Sequence, residues 1–256
     1  MKRKKIKKEF KYPTRYFGLA TIQRWSQGMQ PLSSTHSILI YISLSVIFCG
    51  NDNICTVGWD GRAQIHDIET TETIGDLSGH EAGLNHCSCH SSNFYLVTTS
   101  SRDGSIRVWD YRDSKPASTL CISTQHRQPV SATCFLDQNT IISSSEDKTV
   151  RVFDLRQNRP LERIAVDSAV NRFSVNSNAI TALPHDDRHI RLLKYNSSSQ
   201  SRLRRINRSQ RAHQNSVNAT AWLTTGSYNT DQKSFTLVSG GWDRKLCIWR
   251  VPCSFV

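Results

Sequence analysis

An Asp followed six residues later by a bulky side chain recurs five times in the 256 residues: Asp60 with His66, Asp103 with Trp109, Asp147 with Phe153, Asp187 with Leu193, and Asp243 with Trp249. The Asp-to-Asp steps are 43, 44, 40 and 56 residues, the last lengthened by loop sequence such as TTGSYNTDQKS. A repeat of this length is one supersecondary unit that cannot bury its apolar face alone, so the chain must fold as a stacked array.

Each unit reads as strands. The segment before the Asp is a β-rich run (YLVTTSS, TIISSS, FTLVSGG), and the segment after it alternates (SIRVWD, TVRVFD, HIRLL). RDG, EDK, DDR and WDR join the two, and these are hairpin-turn compositions. A short apolar strand precedes each pair (LNHCSCH, VSATCFL, VNRFSVN, VNATAWL), and a weaker fourth follows it, as in ASTLCIS and PLERIAV. YISLSVIF fits as the inner strand of the first unit, with its second strand in GNDNICTVGWDG. Four antiparallel strands per 40-odd residues make one propeller blade, so the expected class is all-β, with five visible four-stranded units.

These residues carry a family resemblance. SGHEAG with SSRDGSIRVWD, and then SSSEDKTVRVFD, resemble WD-repeat proteins, with Gly79-His80 matching the Gly-His pair and Trp109-Asp110 the terminal Trp-Asp. The likeness covers residues 51 to 251 or so. The fourth unit departs from the pattern, having no Gly-His before it and Lys194 where Asp would follow the bulky residue. Members of this kind close rings of seven blades, which implies that two blades lie outside the five units seen here. The domain division expected is a basic segment over residues 1–36 and a WD-repeat propeller over 37–256.

Composition narrows the function. With 37% apolar and 21% charged residues the chain can bury a sizeable core, which excludes collagen-like and wholly disordered readings. The net charge of +12 is concentrated in two places. Residues 1 to 36 hold nine basic side chains and one acid, and Arg202, Arg204, Arg205 and Arg208 supply four more positive charges. The remainder is near neutral, so a broad nucleic-acid face is not expected. Eight cysteines are too dilute for a disulfide scaffold and fall on strand-like runs, which reads as free buried thiols in a reducing compartment. The longest apolar run, Ile38 to Cys49, is short of the roughly 20 residues of a membrane span.

Several constellations look like chemistry. The recurring His, Ser or Thr, and Asp resemble hydrolase machinery, but a nucleophile site would not repeat at blade spacing, and no G-x-S-x-G elbow is present. The resemblance implies instead that His80 with Asp103 and Trp109, His126 with Asp147, and His213 with Asp243 and Trp249 form buried hydrogen-bond sets that tie single blades together. His86-Cys87-Ser88-Cys89-His90 offers zinc-ligand types, yet on a strand Cys87 and Cys89 share one face and the two His the other, so no metal is expected.

No phosphate-binding glycine motif or paired carboxylate stands out, and neither an enzyme nor a cofactor is expected. The function expected is a non-catalytic scaffold that binds other proteins, with no membrane span and no small-molecule substrate. Candidate partner-binding residues are the arginines at 202, 204, 205 and 208, whose guanidinium forks suit carboxylate and phosphate, together with Arg112 and Arg156. The last two stand two residues beyond Asp110 and Asp154 in successive blades, similar to the paired Asp-x-Arg signature of WD-repeat receptors on cullin-4 ubiquitin ligases. The family likeness further implies phosphofurin acidic cluster sorting proteins as partners and a cytoplasmic and nuclear location.

Overall fold

A computed structural model describes residues 43–252, except 51, 113–119, 123–125, 196–200, 207–210 and 224–233; the basic segment over 1–36 lies outside these. The described residues form five antiparallel sheets, each built from strands consecutive in the chain, and contain no helix. Blade 1 holds β1 (Ser43–Cys49), β2 (Asn53–Gly58), β3 (Ala63–Asp67) and β4 (Thr73–Leu77). Blade 2 holds β5 (Leu84–Cys89), β6 (Leu96–Ser101), β7 (Ile106–Asp110) and β8 (Leu120–Ile122). Blade 3 holds β9 (Val130–Phe135), β10 (Thr140–Ser145), β11 (Thr149–Asp154) and β12 (Arg159–Ala165). Blade 4 holds β13 (Ser174–Val175), β14 (Ile180–Pro184), β15 (Ile190–Lys194) and β16 (Arg202–Arg205), and blade 5 holds β17 (Val217–Leu223), β18 (Ser234–Gly241) and β19 (Leu246–Pro252).

The repeating Asp acts first on the hairpin between the second and third strands. In every blade its Oδ1 accepts the backbone N–H two residues on: Arg62 to Asp60 at 3.1 Å, Ser105 to Asp103 at 2.7 Å, Thr149 to Asp147 at 3.0 Å, His189 to Asp187 at 3.0 Å, and Lys245 to Asp243 at 3.2 Å. A short carboxylate is suited to closing such a turn. The residue between has positive φ each time: Gly61 (79°), Gly104 (81°), Lys148 (60°), Arg188 (72°) and Arg244 (59°). Glycine adopts this conformation freely, whereas the other three side chains carry backbone strain.

The middle strands of blades 2, 3 and 4 are the most buried, because both faces of these blades meet a neighbour. On blade 1 the face bearing Cys49, Cys55, Val57, Ala63, Ile65 and Leu77 packs on Leu84, Cys87, Val97 and Trp109 of blade 2. Further cores lie between blades 3 and 4 (Val150, Val152, Leu183, Leu193) and between blades 4 and 5 (Ile190, Leu192, Leu237, Trp249). First strands adjoin in chain order, β1 by β5, β5 by β9, β9 by β13 and β13 by β17, and so line the hub of a β-propeller.

The fifth sheet departs from the four-stranded expectation. It has three strands among the described residues, because a fourth strand follows the third in the other blades and here the description ends at Pro252, the last residue of β19. Its outward face carries exposed Leu223, Leu246 and Ile248.

Candidate functional site

The His-Asp pairs of blades 2, 3 and 5 are assembled at the hub end of each turn. His80 Nδ1 lies 3.0 Å from Asp103 Oδ2, and its Nε2 lies 2.8 Å from Thr99 Oγ1, to which Trp109 Nε1–H also donates at 2.8 Å. His213 repeats this with Asp243 (2.9 Å), Ser239 (2.8 Å) and the Trp249 indole (2.9 Å). His126 meets Asp147 at 3.0 Å and Ser143 at 2.8 Å, but Phe153 has no N–H to add. The three His side chains are fully enclosed. Burial pushes the His126 imidazole below its ordinary range, against the pull of Asp147. Burial would raise the carboxyls of Asp103, Asp147 and Asp243, yet hydrogen bonds hold them below the usual carboxylate range. An imidazole N–H donating to the Asp carboxylate, with a hydroxyl behind the ring, satisfies buried groups and leaves no open position for a substrate.

Blade 4 solves the same problem differently. Asp187 accepts from Arg191 Nη2 at 2.6 Å, and the same nitrogen lies 2.8 Å from Asp167; the Arg191 side chain is 3% exposed. His185, fully buried, stands where blades 2 and 3 have Ser101 and Ser145. Its Nδ1–H donates to the Ser168 carbonyl at 3.2 Å, and its Nε2 has no partner among the described residues. Burial, aided by Arg191, pushes it down to about 4.

The exposed counterpart is the residue just before each repeat Asp: Trp59, Arg102, Glu146, Asp186 and Trp242. In four blades its backbone N–H donates to the carbonyl preceding the first hub residue: Arg102 to Gly83 (3.0 Å), Glu146 to Pro129 (3.2 Å), Asp186 to Ala169 (3.2 Å), and Trp242 to Ser216 (3.0 Å). In blade 1 the Trp59 backbone lies so close to Gly83 that a Cβ there would meet it at 3.0 Å. Five side chains of four residue types are thus presented in one geometry as a crown around one end of the hub. Trp59 and Trp242 are 51% and 68% exposed, and the Arg102 guanidinium sits 5.9 Å over the Trp59 ring. Sequence reading passed over this position, and its signal was the change of residue type next to an unchanging Asp.

The other candidate residues fall elsewhere. Arg112 and Arg156 follow the far ends of β7 and β11, on the face opposite the crown. Arg112 grips both oxygens of Asp110, pulling that carboxyl down, and lies 5.5 Å from the Tyr95 ring centre. The Arg156 backbone N–H caps Asp154 at 2.8 Å. Arg204 and Arg205 are exposed on β16 at the rim, Arg205 lying 3.5 Å from Asp167. Arg202 shares that strand, while its side chain and all of Arg208 lie outside the described residues. His86 Nδ1–H donates to the Thr133 carbonyl toward blade 3, whereas Cys87 Sγ meets the Cys55 carbonyl toward blade 1. No group of three or more ligand-type side chains among the described residues is placed to hold a metal.

Comparison with known proteins agrees with this architecture. The WD domain, G-beta repeat model matches residues 71–110, 117–154 and 204–250, passing over the divergent fourth unit. WD repeat-containing protein 37 of Xenopus laevis is 37% identical over 203 residues, 79% of this chain and 39% of that protein. The human protein of that name is 36% identical over 223 residues, 86% of this chain and 43% of its own length. The chain therefore spans about two fifths of the curated relatives it matches. Human DDB1- and CUL4-associated factor 5 is 32% identical over 84 residues, 31% of this chain and 9% of that protein.

Proposed function

Because this chain carries WD repeats, we propose that it is a non-catalytic scaffold whose crown holds a segment of another protein. One observation carries the reading: five side chains of four residue types, aromatic, basic and acidic, are exposed on five turns of the same backbone geometry, each fixed by its Asp and four by a bond to the hub. A rigid platform with variable side chains is how propellers and other repeat folds build binding surfaces. Two exposed tryptophans are suitable anchors, since large aromatic side chains dominate the energetics of interfaces. As the family resemblance implies, we further propose phosphofurin acidic cluster sorting proteins as the partners, and a cytoplasmic and nuclear location with them. Affinity purification with mass spectrometry on the tagged chain, beside a Trp59→Ala, Trp242→Ala chain, tests this. The sorting proteins should be recovered with the first and depleted with the second. Equal recovery would remove the crown from the interface, and recovery of chaperones alone would overturn the scaffold reading.

A second reading has its own support, in the paired Asp110-x-Arg112 and Asp154-x-Arg156 and the likeness to DDB1- and CUL4-associated factor 5. In it the chain is a cullin-4 substrate receptor, with Arg112 and Arg156 contacting the adaptor from the face opposite the crown. Changing both to Ala should then abolish adaptor capture without moving the melting temperature. Unchanged capture would remove this reading and leave the first intact.

A further inference from the structure

Arg172 contrasts with four described arginines that each meet a carboxylate. Arg62 meets Asp76, Arg112 meets Asp110, Arg191 meets Asp167 and Asp187, and Arg205 meets Asp167. The half-buried guanidinium of Arg172 has no carboxylate near it among the described residues; the one ionisable group that eases its burial is the thiol of Cys87. Its one side-chain hydrogen bond runs from Nη2 to the backbone carbonyl of Asn85, 3.2 Å away on β5, so it crosses the hub from blade 4 to blade 2. A half-buried cation matched only to a carbonyl carries a partial desolvation cost that an anion beside it would offset.

The position is also fixed. The Arg172 backbone N–H donates to the Asn218 carbonyl at 3.2 Å, and its own carbonyl accepts from Thr220 N–H at 3.2 Å, a parallel bridge to blade 5. Arg172 stands two residues past Val170, as His86 stands two past Leu84, and both Val170 and Leu84 immediately follow residues at the base of the crown. At about 3.3 Å per strand residue, the guanidinium root is about 7 Å below the crown, within reach of a side chain from a segment lying across it. The hub wall beside it is uncharged: Asn85, Ser174, Thr220 and the His86 ring, which burial and Arg172 push down to about 4.

We propose that Arg172 is the anchor for an acidic side chain of the bound protein segment, a Glu or Asp that enters the hub from the crown and pairs with the guanidinium. This rests on the scaffold reading and adds the chemistry of the partner: a segment with a carboxylate between residues that contact the crown.

The test is an array of synthetic peptides from captured partners, with matched random sequences, in which each Glu is printed beside its isosteric Gln. The intact chain should retain Glu peptides about tenfold or more over their Gln twins, since a hydrogen bond to a charged group is worth at least that factor. Arg172→Gln should erase the difference while still binding through the crown, and Arg172→Lys should keep part of it. A circular-dichroism melt confirms that each variant folds. Equal retention of Glu and Gln peptides by the intact chain, or an undiminished preference in the Arg172→Gln chain, overturns the anchor alone. An array on which the intact chain holds no peptide overturns the scaffold reading beneath it, and the anchor falls with it.

Discussion

Thr99 carries two hydrogen bonds on one oxygen, and replacing it by Val isolates what such a set contributes. The side chain is fully buried; its hydroxyl proton goes to His80 Nε2 at 2.8 Å, and its lone pair accepts the Trp109 indole N–H at 2.8 Å. Valine keeps the shape, so little cavity forms and the change falls on polar pairing. Two buried groups lose their partner at about 1–3 kcal/mol each, giving a loss of about 4 kcal/mol. Blade 3 supplies the control. Ser143 is equally buried but serves only His126 Nε2, because Phe153 offers no N–H, so Ser143→Ala should cost about 2 kcal/mol by the same reasoning. Repeat arrays open locally, so amide hydrogen exchange on β6 and β7 against β10 and β11 is the assay, with urea unfolding beside it. If Thr99→Val costs no more than Ser143→Ala, the shared hydroxyl is not what holds Trp109 and His80 to their blade.

Acid should loosen the fold before the carboxylates titrate. His86 and His185 sit near 4 when folded against 6.5 otherwise, so the unfolded chain takes up protons first; stability is full above about pH 6.5 and falls as pH drops toward 4, by about 2 kcal/mol per His at pH 5. Urea midpoints at pH 7.5 and 5.0 should show this, and His185→Gln should flatten the slope. Arg191→Met leaves Asp187 without its guanidinium and should cost about 3 kcal/mol, with Asp187→Asn in the same chain recovering part of it, as read by thermal melting. Lys148→Gly relieves a φ of 60° and should stabilise blade 3 by up to about 1 kcal/mol, whereas Gly104→Lys in the equivalent turn should destabilise blade 2.

The fold was legible in the sequence because its signal is local and repeated. An Asp that closes a hairpin through its own side chain leaves a mark six residues from the next bulky core position, and alternation fixes which face is buried. The split of Cys87 from His86 followed from strand period alone. Other features rest on contacts no local pattern records. That Arg191 takes the place of the His beside Asp187 in blade 4, and also meets the exposed Asp167, depends on residues up to 24 apart in the chain coming together. That Arg172 reaches Asn85 depends on the curvature of three blades, across 87 residues of chain. The crown was hidden for a different reason: its members share a place and not a residue type, and pattern searches look for sameness.

That contrast is itself the argument for where function lies. A repeat compares its own units, and each position must meet the same backbone demand five times. Where the residue does not change, as at the turn Asp, the demand is the fold's: a short side chain with an acceptor oxygen closes that turn. Where it changes from Trp to Arg to Glu to Asp to Trp while the backbone stays put, the fold makes no demand on the side chain, and exposure on every blade confirms that no core contact does either. Such positions are free to be chosen by a partner. Arg172 belongs with them. At its level of the hub the other blades carry Ser45, His86, Ala132 and Ala219, so packing does not require an arginine, and a cation placed there with no carboxylate near it among the described residues is accounted for by the anion it would receive.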